Sequence, residues 1–202
     1  YIDTHPNQTI TPFVIDKLIR FNYDTTILET FISTLTEKQK NSHLGELMQI
    51  RYDIAKLNGG NVGSKALDFT LLSTDGKQIK LSESLPEGYV LLDFWASWCG
   101  PCKAEMPDFN EKYQELQNEF HFLMVNMTDG NRETVETASN FIAQKGYSFP
   151  VFYDTQLQAA MTYGAYSLPI TFFIDSHGNL ITHVVGAINS KTLQRGIDMI
   201  TD

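Results

Sequence analysis

The spacing of apolar positions changes near residue 60. Before it they recur every three or four residues, and after it they alternate or run together in short blocks. The first spacing builds one face of a helix, and the second belongs to strands. Thr11-Pro12 reads as a helix start, with Thr as N-cap and Pro in the first turn. Phe13, Val14, Ile15, Leu18 and Ile19 follow at helical spacing. A second helix starts at Asp24 and buries Ile27, Leu28, Phe31, Ile32 and Leu35. A short turn over 36–40 leads into a longer helix over 42–57, striped by Leu44, Leu47, Ile50, Ile54 and Leu57. This N-terminal helical segment, 1–60, reads as packing structure without chemistry of its own, with His5 and His43 on its surface. Asn58-Gly59-Gly60-Asn61-Val62-Gly63 reads as a linker to a second domain, 61–202.

In that domain strands alternate with helices. A strand over 68–73, a turn at Thr74-Asp75-Gly76-Lys77 and a strand over 78–81 make a hairpin. The near-continuous apolar run 89–96 predicts a central buried strand. A helix over 101–119, expected to kink at Pro107 because a bond is lost there, is followed by a strand over 120–127 and a helix over 132–145. A short strand over 150–153 and a short helix over 156–163 come next. Strands over 170–175 and 180–185 flank Ser176-His177-Gly178-Asn179, and a helix over 192–200, capped by Asn189 or Ser190, closes the chain. The order predicts an α/β fold with a mixed central sheet, parallel in the middle and ending in a hairpin, preceded by the helical segment.

Composition narrows the function. The 202 residues carry a formal net charge of −9, split as −1 over 1–60 and −8 over 61–202. An acidic chain makes nucleic acid a poor partner, because phosphate neutralisation needs clustered Lys and Arg. No apolar run approaches the roughly 18–20 residues of a membrane span, and Val90–Leu92 is stopped by Asp93. The sequence starts at Tyr1 with neither an initiator Met nor a signal peptide, so the lack of a targeting segment does not place it in the cytosol.

Both cysteines lie in Trp98-Cys99-Gly100-Pro101-Cys102, where the central strand gives way to a helix. A thiol at a helix N-terminus faces free N–H groups and the positive end of the helix dipole, and both favour the thiolate. Two intervening residues let the second sulfur reach the first within one turn, and Pro101 is tolerated there because its missing N–H forfeits no helical bond. The first thiol is expected to be exposed and to attack a disulfide, and the second to be buried and to resolve the mixed disulfide. A zinc site would need two more ligands, and the five histidines show no paired spacing near the cysteines. A static disulfide would close too short a loop to stabilise the fold much. No metal and no cofactor beyond the redox-active pair is expected.

The stretch Phe94-Trp95-Ala96-Ser97-Trp98-Cys99-Gly100-Pro101-Cys102-Lys103 resembles the active site of the thioredoxin superfamily. Ala104-Glu105-Met106-Pro107 and Ala66-Leu67-Asp68-Phe69-Thr70-Leu71 narrow the resemblance to the exported, usually membrane-tethered TlpA/ResA-like group of bacteria. It covers residues 61–202, and the N-terminal helices more loosely resemble a segment that precedes this module in Bacteroidetes relatives. Ser167-Leu168-Pro169-Ile170-Thr171 matches a second thioredoxin hallmark, in which the proline is cis and packs beside the disulfide. The resemblance implies a thioredoxin-like fold and a thiol-disulfide oxidoreductase that reduces protein disulfides outside the cytoplasm. Cytochrome c maturation and disulfide repair are the implied uses. It further implies a membrane thiol-disulfide carrier as electron donor and an envelope or periplasmic location.

By the same resemblance Cys99 attacks and Cys102 resolves. Trp98 packs beside the site and shields it, and the backbone of Leu168, next to Pro169, pairs with an extended substrate by strand addition. With Gly100 and Pro101 these form the expected substrate surface. Asp93, six residues before Cys99, and Glu105, three after Cys102, are both candidate proton acceptors for the resolving thiol, and the choice between them stays open. Thioredoxins usually place a Lys near the Asp. The matching strand here, 120–127, has none, which leaves Asp93 harder to ionise. Two other functions compete. A thiol peroxidase of the peroxiredoxin type shares the Asp68–Leu71 opening, but those enzymes carry a Thr three residues before the nucleophile, where this chain has Ala96. A non-enzymatic adaptor would use the N-terminal helices to hold a partner.

Overall fold

A computed structural model describes residues 29, 32–42, 45–46, 49, 62–84 and 88–201. The chain divides into two compact units, Tyr1–Asn61 and Val62–Asp202. The helices expected from Thr11 and over 42–57, most of the helix from Asp24, and His5 and His43 lie largely or wholly outside the described residues. Within the first unit Ile32 and Leu35 are buried. The stretch read as a turn over 36–40 is instead a one-turn helix, α1 (Glu37–Lys40). The Thr36 side chain accepts the Gln39 N–H, and the Gln39 side chain accepts the Thr36 N–H at 2.9 Å. This reciprocal capping satisfies two end groups at once and makes so short a helix viable.

The second unit is built on one seven-stranded sheet of order β2-β1-β5-β4-β3-β6-β7. Its strands are β1 (Thr70–Ser73), β2 (Gln78–Lys80), β3 (Tyr89–Trp95), β4 (Phe120–Asn126), β5 (Val151–Tyr153), β6 (Ile170–Ile174) and β7 (Leu180–Val185). β3, β4 and β5 run parallel, and antiparallel strands close both sides. The helices are α2 (Leu81–Ser84), α3 (Gly100–Leu116), α4 (Val135–Lys145), α5 (Gln158–Thr162) and α6 (Ser190–Thr201). The mixed sheet with a terminal hairpin is as the pattern predicts, and α2 is an addition to it.

Element ends differ from the sequence reading where side chains compete for backbone groups. β1 begins at Thr70, not 68, because the Asp68 carboxylate turns back to take the N–H groups of Phe69 and Ser82 and the Ser82 hydroxyl. α4 begins at Val135, not 132, because Thr134 caps it, its hydroxyl accepting the Thr137 N–H at 3.1 Å. It ends at Gly146, whose φ of 69° is the left-handed conformation that favours glycine. α3 runs unbroken through Pro107, which lies on its exposed side.

Alternation along β3 sorts the core. Val90, Leu92 and Phe94 face a cluster with Phe69, Ala159, Ala160 and Tyr163. Leu91 and Trp95 face the opposite cluster, where α3 supplies Cys102, Met106 and Phe109 and α6 supplies Leu193, Ile197 and Ile200. Asp93 therefore points toward the α3 side, since residues two apart on a strand share a face. α6 seats tightly: a Cβ on Gly196 would overlap the ring of Phe173, which is itself fully buried. Alanine there gains about 1 kcal/mol of helix propensity. Overpacking costs about 1–3 kcal/mol. Gly196→Ala should lower the denaturation midpoint, and an unchanged or higher midpoint would mean that the Phe173 ring can move aside.

Candidate active site

The chain leaves β3 at Trp95, passes through Ala96–Trp98 and enters α3 at Gly100, so Cys99 is the helix N-cap. Its extended backbone lets Sγ accept the N–H of Cys102 at 3.1 Å. Gly100 and Pro101 fill the first two helical positions, where Pro lacks only a hydrogen that the helix does not use. Cys99 and Cys102 are joined in a disulfide with Cα atoms 5.3 Å apart. On reduction the same geometry offers a Cys99 thiolate one backbone N–H and the positive end of a 17-residue helix.

Two expectations need correcting. Cys99 is not exposed: it retains 4% of its accessible surface, against 0% for Cys102. The order is as expected, but the cap bond draws Sγ back over the helix end, into the cluster that holds Cys102 and Met106. Trp98 does not pack down as a shield. It is 41% exposed, and the Arg132 guanidinium lies 3.8 Å from the centre of its ring. The surface around the sulfurs is formed by Trp98, Gly100 and Pro101, all exposed.

Leu168–Pro169 is a cis peptide. Leu168 packs against the cluster that contains both cysteines, and the Pro169 carbonyl accepts the Gly186 N–H at 2.8 Å. This brings the start of β6 to the same side of the molecule as the helix end.

On the face of the sheet that α3 covers lie two carboxyl groups close enough to feel each other's charge. Asp93 is buried in β3 and its Oδ1 accepts the hydroxyl proton of Thr171, its register partner on β6, at 2.8 Å. Glu105 is buried on α3, one turn beyond Cys102, and its Oε2 accepts the Ile188 N–H at 2.8 Å. Asp93 Oδ2 and Glu105 Oε1 are buried with no hydrogen-bond partner among the described residues. Burial, then the charge of Glu105, push the Asp93 carboxyl well above the usual carboxylate range, against the Thr171 bond. Burial lifts Glu105 to about 7, opposed by the Ile188 N–H and assisted by Asp108. Opposite Asp93 on β4 stands Met124, where no cation can offset this. Two carboxyl groups so placed titrate as a pair, with ionisation of one opposing ionisation of the other. They can therefore take up and return the proton of a nearby thiol.

A third buried carboxyl group escaped the sequence reading. Glu133, assigned there to a helix, sits in the loop before α4. It accepts hydrogen bonds from Ser97 N–H at 2.9 Å, Ser97 Oγ at 2.7 Å and Asn126 Nδ2 at 2.8 Å. The one local signal was Thr134, whose preference for an N-cap puts Glu133 outside the helix. Among the described residues no cluster of His, Cys, Asp and Glu side chains could hold a metal ion.

The AhpC/TSA family profile matches residues 62–183. The thiol-disulfide oxidoreductase ResA of Bacillus thuringiensis (strain Al Hakam) is 33% identical over 140 residues, 69% of this chain and 79% of that protein. ResA of Geobacillus thermodenitrificans is 34% identical over 140 residues, 69% of this chain and 78% of its own length. Among solved structures, a candidate thiol:disulfide interchange protein DsbE of Chlorobium tepidum superposes with a TM-score of 0.63 at 32% identity, covering 70% of this chain and 99% of that one. The exposed lipoprotein thioredoxin of Streptococcus pneumoniae does so with a TM-score of 0.55 at 34% identity, covering 65% and 99%. Family profile, sequence relatives and superposed structures agree with the geometry at the end of β3, and the chain belongs to the AhpC/TSA family as a ResA-like thiol-disulfide oxidoreductase of the thioredoxin superfamily.

Proposed function

We propose that this oxidoreductase works as a reductant of protein disulfides outside the cytoplasm, with Cys99 attacking and Cys102 resolving. The observation that carries the assignment of roles is the cap geometry: Cys99 Sγ receives the Cys102 N–H at the helix end, while Cys102 is fully enclosed. The Cys99 thiolate attacks one sulfur of a substrate disulfide, forming a mixed disulfide and releasing the other substrate sulfur as a thiolate. Cys102 loses its proton to the carboxyl pair Asp93 and Glu105 and attacks Cys99 Sγ. That breaks the mixed disulfide and releases the second substrate thiolate. The substrate gains two electrons, one of its thiolates takes the Cys102 proton back from the carboxyl pair and the other takes a proton from water, and the enzyme is left as the Cys99–Cys102 disulfide. A dithiol donor in the membrane then reduces it by the same steps in reverse. No cofactor beyond the cysteine pair enters this cycle.

The substrate surface is formed by Trp98, Gly100, Pro101, Leu168 and Pro169, with Leu168 offering backbone to an extended segment. The lipoprotein character of the pneumococcal relative supports a place in the cell envelope, with membrane tethering through a segment outside this sequence. Reduction of haem-attachment cysteines during cytochrome c maturation, or repair of misformed disulfides, would use this chemistry.

The test is the equilibrium reduction potential of the Cys99/Cys102 pair, with turnover of a protein disulfide under a dithiol donor. A potential near thioredoxin's, about −270 mV, fits a reductant, whereas one near −120 mV would make the protein an oxidant. Rapid consumption of hydrogen peroxide by the reduced protein would favour the peroxidase reading, despite Ala96 in place of the peroxiredoxin Thr.

A further inference from the structure

We propose that Glu133 is a positioning residue for the attacking cysteine, clamping the loop between β3 and α3 so that Cys99 stays at the helix cap. The loop spans only Ala96, Ser97 and Trp98, between a strand end held by the bond from Met127 N–H to the Trp95 carbonyl and a helix whose cap is Cys99 itself. Ser97 stands in its middle, and both its N–H and its hydroxyl donate to the two oxygens of Glu133. The third donor, Asn126 Nδ2, comes from the last residue of β4, whose Oδ1 accepts the Thr128 hydroxyl at 2.8 Å. The clamp is thus anchored to the central sheet.

Glu133 is held in turn by its own loop. Its N–H and that of Asn131 both donate to Asp129 Oδ1 at 2.9 Å, and its carbonyl accepts the Gly130 N–H at 2.9 Å. Gly130 has a φ of 73°, which only glycine adopts without strain. The adjoining Arg132 stacks on Trp98, next to Cys99. One five-residue loop therefore grips consecutive residues of the active-site loop in two ways, one buried and polar, the other exposed. Three donors meet both oxygens of a fully buried carboxyl group, and among the described residues no Lys or Arg bonds to it. The group serves as a bidentate acceptor that sets where Ser97 lies. Freed from it, Ser97 and Trp98 can shift, and Cys99 Sγ spends less time where the Cys102 N–H reaches it.

The proposal rests on Cys99 being the attacking thiol. Its test reads the cap geometry on the enzyme alone, through the pH dependence of thiolate absorbance in the reduced protein, and compares rates of disulfide exchange separately. Glu133→Ala should raise the pKa of the more acidic thiol and slow exchange about tenfold or more, as sub-ångström misplacement of a reacting group does. Glu133→Gln keeps one oxygen for the Ser97 and Asn126 N–H groups and offers an amide N–H to the Ser97 hydroxyl, so it should restore the thiol pKa and most of the rate. Ser97→Ala, which keeps the backbone bond, should shift both readouts in the same direction but less, and covers the case in which Glu133→Ala does not fold. A Gln variant as impaired as Ala would assign the role to charge and overturn the proposal. So would wild-type thiol pKa values in Ser97→Ala or in a folded Glu133→Ala protein. A wild-type enzyme that reduces no protein disulfide would defeat the functional reading and still leave the thiol titration to be decided.

Discussion

Replacing Cys102 by serine should convert the enzyme into a trap. The attacking thiol and its cap geometry remain, since the N–H that Cys99 accepts belongs to the backbone of residue 102. The first exchange proceeds, and no second thiol displaces the bound substrate. Turnover should fall by several orders of magnitude while covalent adducts accumulate on non-reducing gels, and a dithiol reductant should release them. Cys99→Ser should be equally inactive and trap nothing, because Cys102 is fully enclosed and cannot meet a substrate sulfur. Adducts formed by the Cys99→Ser protein instead would reverse the two roles, and full turnover in both variants would end the dithiol mechanism.

Glu105→Gln should make the protein more stable and slower. Burial lifts the Glu105 carboxyl from 4.5 to about 7, so the folded state holds this proton more tightly than the unfolded chain does. Stability from this group is complete below about pH 4.5, declines as pH rises toward about 7 and is level above it. The loss is on the order of 3 kcal/mol. Asp93, pushed upward by burial and by Glu105, acts in the same sense. A glutamine cannot ionise and still offers an oxygen to the Ile188 N–H. The variant should therefore match wild type in acid and exceed it by about 2–3 kcal/mol in mild base, as read from denaturant midpoints across pH. Its mixed disulfides should also persist longer, because Cys102 has lost one of its two proton acceptors. Parallel stability curves for the two proteins would show that Glu105 ionises as freely when folded as when unfolded.

Much of this site could be read from residue order because its parts are local. The apolar run of β3, the Trp98–Cys102 stretch after it and Pro101 in the first helical turn all lie within fourteen residues, and Ser176-His177-Gly178-Asn179 between two apolar runs locates the hairpin of β6 and β7. Asp93 and Glu105 were found as single residues. That they lie close enough to interact follows from α3 covering one face of β3, which needs the folded sheet. Glu133 was hidden for the same reason: its partners Ser97 and Asn126 lie 36 and 7 residues away, and an acid before a helix ordinarily points to water. Element ends differ from the sequence reading where Thr134, Asp68 and the Thr36–Gln39 pair bind backbone N–H groups, which outweighs apolar periodicity at the margins. The cation that stacks on Trp98 comes from a distant loop, and periodicity carries no trace of that.

The shallow burial of the sulfurs also decides whom this protein can trade electrons with. An incoming thiolate must approach along the line of the S–S bond, and only 4% of the Cys99 surface lies open to it. A small dissolved thiol has nothing to hold it on that line. A protein partner can rest its chain against Trp98, Gly100 and Pro101 and be guided there. The narrow opening therefore favours exchange with a docked polypeptide over exchange with a small dissolved thiol, much as a sheath favours contact at the bared end of a wire. Access, quite apart from redox potential, keeps the current in its circuit.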